Sequence, residues 1–296
     1  MIQDIVPGKY VVAVSGGIDS MVLLHMLAQR PDLTLVVAHF DHGVRADSAE
    51  DRKLVQAVAG QYGLPFFYKE GRLGPDVSEE KARRARYAFL HNVQTEQGAD
   101  GLITAHHQDD VLETMLLNIW RGTHRRGLSS LQSTAKTARP LLHSTKNELR
   151  HYASRHAIMW REDSTNQQDL YTRNRLRQRY MPRLTDVQRQ QLVAMNTRMR
   201  AINAEIDHLT EALLDKIRTE NGFDRSLFAL LPHSVSVEIL AYYLRKTHQV
   251  ELSKKLLERL VLAAKTARPG TQHNIQNTLI MKITRRSVVF AYRHRS

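Results

Sequence analysis

Cysteine is absent from the 296 residues. That excludes a disulfide framework, a thiolate metal site, a persulfide carrier and a thiol nucleophile. Acidic residues are under-represented: 30 Asp and Glu face 43 Lys and Arg, a formal net charge of +13 with the 15 His taken as neutral. A positive surplus suits a polyanionic partner, because clustered Lys and Arg displace counterions from phosphates. Charge that serves only solubility gives the same total, so its distribution has to decide. No apolar run approaches the roughly 18 residues of a membrane span, and the start Met1-Ile2-Gln3-Asp4 lacks a signal-peptide layout, so the cytoplasm is the expected compartment. Internal repeats and low-complexity tracts are lacking too. What remains, 42% hydrophobic and 25% charged residues, is ordinary for a soluble globular protein of two domains.

From Lys9 to about Ile103 short β-rich runs alternate with helical stretches. Strands are expected at Tyr10–Val14, Leu33–Ala38, Pro65–Tyr68 and Gly101–Ala105, with helices at Ser20–Arg30, Ala49–Tyr62 and Ser78–Gly98. That rhythm predicts parallel βαβ units with helices on both sheet faces, a fold that binds ligands beyond the carboxyl ends of its strands. After Pro182 the texture changes. Leu192, Met195, Met199, Ile202, Ile206, Leu209 and Leu213 form one apolar stripe, read as a long helix that braces the molecule from within in preference to a coiled-coil dimer. Further helices are expected at Val235–Lys246 and Ser253–Ala264, then a hairpin of Leu279–Ile283 and Val288–Tyr292. The fold class is therefore α/β, with a catalytic domain over 1–185, a connecting helix over 186–218 and a smaller, mainly helical α+β domain over 219–296. His233, His248 and His273 in the last part have no metal-like spacing.

Ser15-Gly16-Gly17-Ile18-Asp19-Ser20 joins the first strand to the first helix. Two glycines let backbone amides approach an anion, the helix start aims N–H groups and its positive dipole end at it, and Ser15 and Ser20 add hydroxyls. Asp19 is out of place in an anion site unless it helps hold a metal ion or positions a reacting group. No Gly-Lys-Ser/Thr follows, so this is not the loop of enzymes that transfer the γ-phosphate. The turn resembles that of the PP-loop ATP pyrophosphatases, whose Ser-Gly-Gly-x-Asp-Ser cradles the pyrophosphate portion of ATP. The resemblance implies an adenine nucleotide α-hydrolase-like fold, attack on the α-phosphate, an adenylated intermediate and pyrophosphate release.

Later segments resemble the tRNA(Ile)-lysidine synthase family in chain order, over about residues 9–183. They are His42-Gly43-Val44-Arg45 after the second strand, Glu79 to Tyr87 (Glu-x-x-Ala-Arg-x-x-Arg-Tyr), His106-His107-Gln108-Asp109-Asp110-Val111-Leu112-Glu113-Thr114, Arg121-Gly122, Arg139-Pro140-Leu141-Leu142 and Arg173-Asn174-Arg175-Leu176-Arg177. Beyond that stretch the likeness rests on layout, and no further domain of the longer members is expected. Asp110 and Glu113, three apart on one helix face, suit either the ammonium groups of a free amino acid or Mg²⁺, against the plainer reading of an acidic helix start. Arg83 and Arg86 fit phosphate contact or ordinary helix surface equally well.

Basic charge is concentrated: residues 121–155 hold eight Lys or Arg and one acid, Glu148, and residues 171–183 hold five Arg and no acid. Two such stretches near the site fit an RNA-backbone track better than a solvated face. Aromatics there are few (Trp120, Tyr152, Trp160, Tyr171, Tyr180), which leaves base stacking open.

The resemblance implies a ligase that adenylates the wobble cytidine of an isoleucine tRNA with a CAU anticodon and replaces its C2 oxygen by the ε-amine of free L-lysine. It implies ATP contacts from Ser15, Gly16, Gly17, Ile18, Asp19, Ser20, His42 and Arg86, with Asp19 on Mg²⁺ or positioning the reaction. It also implies charge stabilisation by one of His106 and His107 together with Arg177, and lysine held by Asp110 and Glu113. The tRNA backbone is expected on Arg121, Arg125, Arg126, Arg173, Arg175 and Arg179. Alanine at Asp19 or Glu113 is expected to abolish lysine incorporation with the fold intact. A tRNA thiolase on the same fold is disfavoured by the missing cysteines. A small-molecule amide ligase such as NAD synthetase leaves the Arg-rich stretches unexplained, and a non-catalytic RNA-binding module leaves the paired carboxylates unexplained. A homodimer is left open.

Overall fold

The structure is a computed structural model and describes residues 5–41, 43, 48–71, 74, 77–123, 125–161, 175–276 and 278–293. The chain divides into two compact units, residues 1–199 and 200–296. The first unit runs β1 (Gly8–Ala13), α1 (Ile18–Ala28), β2 (Leu33–Asp41), α2 (Ser48–Gln61), β3 (Phe66–Glu70), α3 (Glu79–Glu96), β4 (Gly101–Thr104), α4 (Gln108–Trp120), α5 (Arg125–Leu128), β5 (Thr137–Ala138) and α6 (Lys146–Arg155). A π-helical turn (Leu176–Tyr180) and a 3₁₀ turn (Met181–Arg183) then lead into α7 (Asp186–Ile217), within which the division falls.

The sheet order is β3-β2-β1-β4-β5, and all four pairings are parallel. Period-two alternation sends side chains of the central strands to opposite faces. Val12, Val14, Leu35, Val37 and Ile103 pack with buried residues of α1, α2 and α6 such as Leu23, Val55 and Leu149. Val11, Val36, Ala38, Phe40 and Leu102 pack with Phe89, Leu90 and Val93 of α3. Both faces are thus covered, as parallel strands require. The order reverses between β1 and its neighbours, so the turn after β1 and the turn after β4 open side by side, where such sheets bind ligands.

The π-helical turn is pinned from beneath. Leu176 and Met181, both buried, pack with Leu112 and Leu117 of α4 and with the half-buried Leu192 and Val193 of α7. This holds the residues between them against α4. The stripe expected on α7 is only partly its inward face: Leu192, Met199, Ile202, Ile206 and Leu213 are half-buried. Met195 and Leu209 are exposed, whereas Asn196, Asn203 and Thr210, each seven residues from the next, are buried. Asn196 donates through Nδ2 to the Leu128 carbonyl at 2.7 Å, and Thr210 donates to the Ile206 carbonyl at 2.6 Å. Hydrogen bonds that satisfy buried polar groups let a helix face with few apolar residues turn inward, which a hydrophobic count does not register.

In the second unit α8 (Arg225–Leu230), α9 (His233–His248) and α10 (Lys254–Thr266) accompany a five-stranded antiparallel sheet. Its strands are β6 (Arg218–Thr219), β7 (Gly222–Asp224), β8 (Gln272–Gln276), β9 (Leu279–Ile283) and β10 (Ser287–Tyr292), in the order β6-β7-β10-β9-β8. The expected β9–β10 hairpin is present. Three further strands join it that were too short, or in Gln272–Gln276 too polar, to carry an apolar alternation. Among the described residues no helix is long and apolar enough to cross a membrane.

Candidate active site

The turn after β1 is shaped by its backbone. Gly16 has φ +93°, a region that L side chains avoid, and a Cβ there would lie 3.3 Å from Asp51 Cβ. Gly17 caps α1 without any side-chain hydrogen bond, so the first amides of the helix have no capping acceptor and face an incoming anion along the positive dipole end. Ser20 is buried and already occupied: its hydroxyl donates to the Gly17 carbonyl at 2.9 Å and accepts from Ser15 N–H at 3.1 Å. It braces the turn instead of reaching outward. Ile18 is buried in the core, which leaves its backbone amide as the part available to a ligand. From outside, the Arg161 amide donates to the Gly16 carbonyl at 3.1 Å and the Arg161 guanidinium meets Asp51 at 2.8 Å.

Asp19 does not stand alone. Lys146, the first residue of α6, places Nζ 2.6 and 2.7 Å from its two carboxylate oxygens. The sequence reading did not single out Lys146. Its only signal was its place just after Thr145, which caps α6 in a capping box with Glu148. His107 lies on the other side, with Nε2 3.6 Å from Asp19 Oδ2 and 3.7 Å from Asp110 Oδ2. His107 caps α4, and its Nδ1 accepts the Asp109 amide at 3.3 Å, so the proton is assigned to Nε2, between the two carboxylates. The Asp110 carboxylate completes the capping box by accepting the His107 amide at 2.9 Å.

Arg177 closes the chain of contacts. Its Nε and Nη2 donate to Glu113 at 2.6 and 3.0 Å, and Nη2 lies 3.4 Å from Asp110. Glu113 is 1% exposed. Burial alone would lower the Arg177 pKa, but the Glu113 hydrogen bond and the charges of Glu113, Asp110 and Asp19 raise it. Burial alone would raise Asp110, but the His107 and His106 rings, the His107 amide and Arg177 hold it down at about 2. Asp19, His107, Asp110, Glu113 and Arg177 thus form one connected group at the carboxyl ends of β1 and β4.

His106 belongs to a different group. Its Nδ1 is 2.8 Å from Thr104 Oγ1, and burial, followed by the charges of Arg86, Arg139 and Arg83 set against Asp110, takes its pKa to about 3. Arg83 and Arg86 lie over the Tyr87 ring at 4.8 and 5.4 Å. Burial would raise the Tyr87 phenol, yet Arg83, Arg86 and Arg139 bring it below its ordinary value. The arginines of α3 therefore surround Tyr87 and His106. Because the folded His106 resists protonation that the unfolded chain accepts below 6.5, its contribution to stability is complete above that pH and falls away on acidification toward 3. Denaturant titrations across this range are expected to show His106→Gln losing less stability in acid than the unaltered chain. Part of the acid loss will remain, since burial also lowers His25, His39 and His248.

Arg121, Arg175 and Arg179 are exposed, and Arg125 and Arg126 are half-buried. Not all of the basic stretch forms a track. Lys146 and Arg177 neutralise the carboxylates, and Arg139 is buried with Nη1 donating to the Gln132 carbonyl. His42 and Arg173 lie outside the described residues. Among the described residues no three His, Asp or Glu side chains are arranged to hold a metal. Asp19 fits Mg²⁺ in the mode where one carboxylate is supplemented by nucleotide phosphates and water.

The doubly wound sheet, with a glycine turn and an uncapped helix start at its switch point, defines an α/β domain built to bind a phosphate-bearing ligand. The chain belongs to the PP-loop family of ATP-binding domains, which matches residues 1–184. It is similar to a tRNA(Ile)-lysidine synthase of Solibacter usitatus, 37% identical over 60% of this chain and 41% of that one. A tRNA(Ile)-lysidine synthase of Thermus thermophilus is 41% identical over 60% of this chain and 36% of its own length. That of Streptococcus gordonii is 30% identical over 91% and 62%. The chain therefore spans 41% of the length of the Solibacter relative it matches.

Proposed function

We propose that the chain is an ATP-dependent ligase that adenylates the wobble cytidine of an isoleucine tRNA and joins free lysine to it. The observation that carries this reading is the continuous contact from the phosphate turn to a buried carboxylate pair, Asp19 to His107 to Asp110 to Arg177 to Glu113. A nucleotide site and a site for a cationic amine adjoin, and the names of the relatives, together with ATP use by a PP-loop domain, agree with that pairing.

In the first step the cytidine C2 oxygen attacks the α-phosphorus and pyrophosphate leaves. In the second the lysine ε-amine attacks C2 and the oxygen departs with AMP. The ring oxygen is a poor leaving group, so the phosphate ester is a chemical necessity. Backbone amides of Gly16, Gly17, Ile18 and Asp19 take the phosphates, with Ser15 beside them. Mg²⁺, when bound, offsets phosphate charge; Asp19 would hold it, releasing Lys146 to the pyrophosphate. Between the two histidines, His107 takes the electrostatic role, because its Nε2–H lies next to Asp19. His106, neutral and flanked by Arg86, serves the nucleotide side. Arg177 occupies the carboxylates that an ammonium group would use. Lysine binding in the second step would therefore displace Arg177 from Glu113 and Asp110. The amine, with a free pKa of about 10.4, must lose a proton to attack. The exposed arginines and the second unit contact the tRNA backbone.

The test measures ATP-dependent pyrophosphate release with tRNA, with and without lysine, and scores labelled lysine in the RNA. Lysine-dependent label with AMP as co-product supports the reading. ADP formation, or pyrophosphate release indifferent to tRNA, overturns it.

A further inference from the structure

Trp120 and Tyr180 are far apart in sequence, but the fold brings them together on the surface. Trp120 ends α4 and is 55% exposed, and Tyr180 ends the π-helical turn and is 45% exposed. Their ring centroids are 6.1 Å apart in an edge-to-face arrangement, and the Arg175 guanidinium lies 5.5 Å from the Trp120 ring centroid. Both rings carry a π face that a nucleobase can stack on. Their surroundings are cationic. Arg121 and Arg179 adjoin them in sequence, both exposed, and the stretch 171–183 contains no acid. An apolar partner surface would gain nothing from that charge, whereas a phosphate backbone would.

The placement is as informative as the exposure. Glu113 and Trp120 are seven residues apart on α4, so they share a helix face at an axial separation of about 10 Å. Arg177, which holds Glu113, and Tyr180 lie on the same π-helical turn. The aromatic pair is therefore built from the two elements that form the carboxylate clamp, about two turns away from it.

We infer that Trp120, Tyr180 and Arg175 form a stacking platform for one unpaired base of the RNA, a loop neighbour of the cytidine that reacts and not that cytidine itself. The inference rests on the tRNA reading above and deepens it by naming the residues that seat the loop. It follows that the protein selects an unstacked, single-stranded neighbour, which an RNA duplex does not offer.

The experiment uses the full chain and a stem-loop RNA with the CAU anticodon, together with a series carrying an abasic ribose at each loop position in turn. Trp120→Leu and Trp120→Ala are expected to weaken RNA binding about tenfold, the usual loss for one stacked base, with the salt dependence of binding unchanged. Trp120→Tyr is expected to retain most of the affinity. The protein has two tryptophans, so in a Trp160→Phe background the emission reports Trp120 alone. RNA should quench it, and one particular abasic RNA should fail to do so and should bind Trp120→Leu as tightly as the intact RNA does. Equal affinity of Trp120→Leu and the unaltered chain overturns the platform. So does emission that ignores RNA, or quenching that survives every abasic substitution. Labelled-lysine incorporation judges the ligase reading separately: incorporation with no platform signal sinks only the platform, and a platform signal without incorporation sinks only the ligase.

Discussion

Glu113→Ala is expected to destabilise the first unit by about 2–4 kcal/mol, a fall in melting temperature of about 5–10 °C, besides eliminating lysine incorporation. Glu113 is 1% exposed and receives two hydrogen bonds from Arg177, so alanine removes the acceptor and leaves the guanidinium facing a cavity. The Arg177 side chain is 40% exposed, which lets water relieve part of that penalty and keeps the figure below that of a fully buried pair. The sequence alone suggested that alanine here would spare the fold, because nothing in it revealed the arginine. Glu113→Gln separates the two effects. It keeps the shape and one acceptor, so denaturant melting should stay close to that of the unaltered chain while lysine incorporation drops by at least about 100-fold. Full incorporation by Glu113→Gln would mean that the carboxylate charge has no part in the reaction.

Asp19→Ala should behave in the opposite way, with a change in stability within about 1 kcal/mol and turnover lost. Asp19 and its partner Lys146 are 27% and 30% exposed, and an ion pair that open to solvent contributes little to folding. The same carboxylate adjoins the uncapped start of α1, where the phosphates would sit, so its loss strikes the adenylation step. Pyrophosphate release with tRNA and without lysine isolates that step, and unchanged release by Asp19→Ala would remove Asp19 from it. Lys146→Met serves as the companion variant: if Lys146 passes from Asp19 to the pyrophosphate, its KM for ATP should rise about tenfold with a smaller change in kcat.

The parts of the molecule that were legible in the sequence share a property: each rests on a local pattern. The β1–α1 turn announces itself by two glycines between an apolar run and a helix, and α4 by its acidic first turn. The carboxylate pair could be put on one helix face by counting residues. What escaped depends on contacts between distant segments. Lys146 is 127 residues from Asp19, and Arg177 is 64 from Glu113. Part of the buried face of α7 was hidden because Asn196 satisfies its amide on the Leu128 carbonyl, 68 residues away, while the hydrophobic pattern also took in the exposed Met195 and Leu209. The two-residue strand β5 pairs with β4 as a short edge and has too few residues for a period to exist.

The wide turn at Leu176–Tyr180 has a consequence for how the protein can change. A π turn is an ordinary helical turn holding one extra amino acid, and removing that residue would swing everything downstream by about 100°. Arg177 and Tyr180 would then no longer point to their present neighbours at once. A single deletion at Gln178 would therefore separate the Arg177–Glu113 contact from the Trp120–Tyr180 pair, and a lineage that kept one could drift in the other only by re-gearing both.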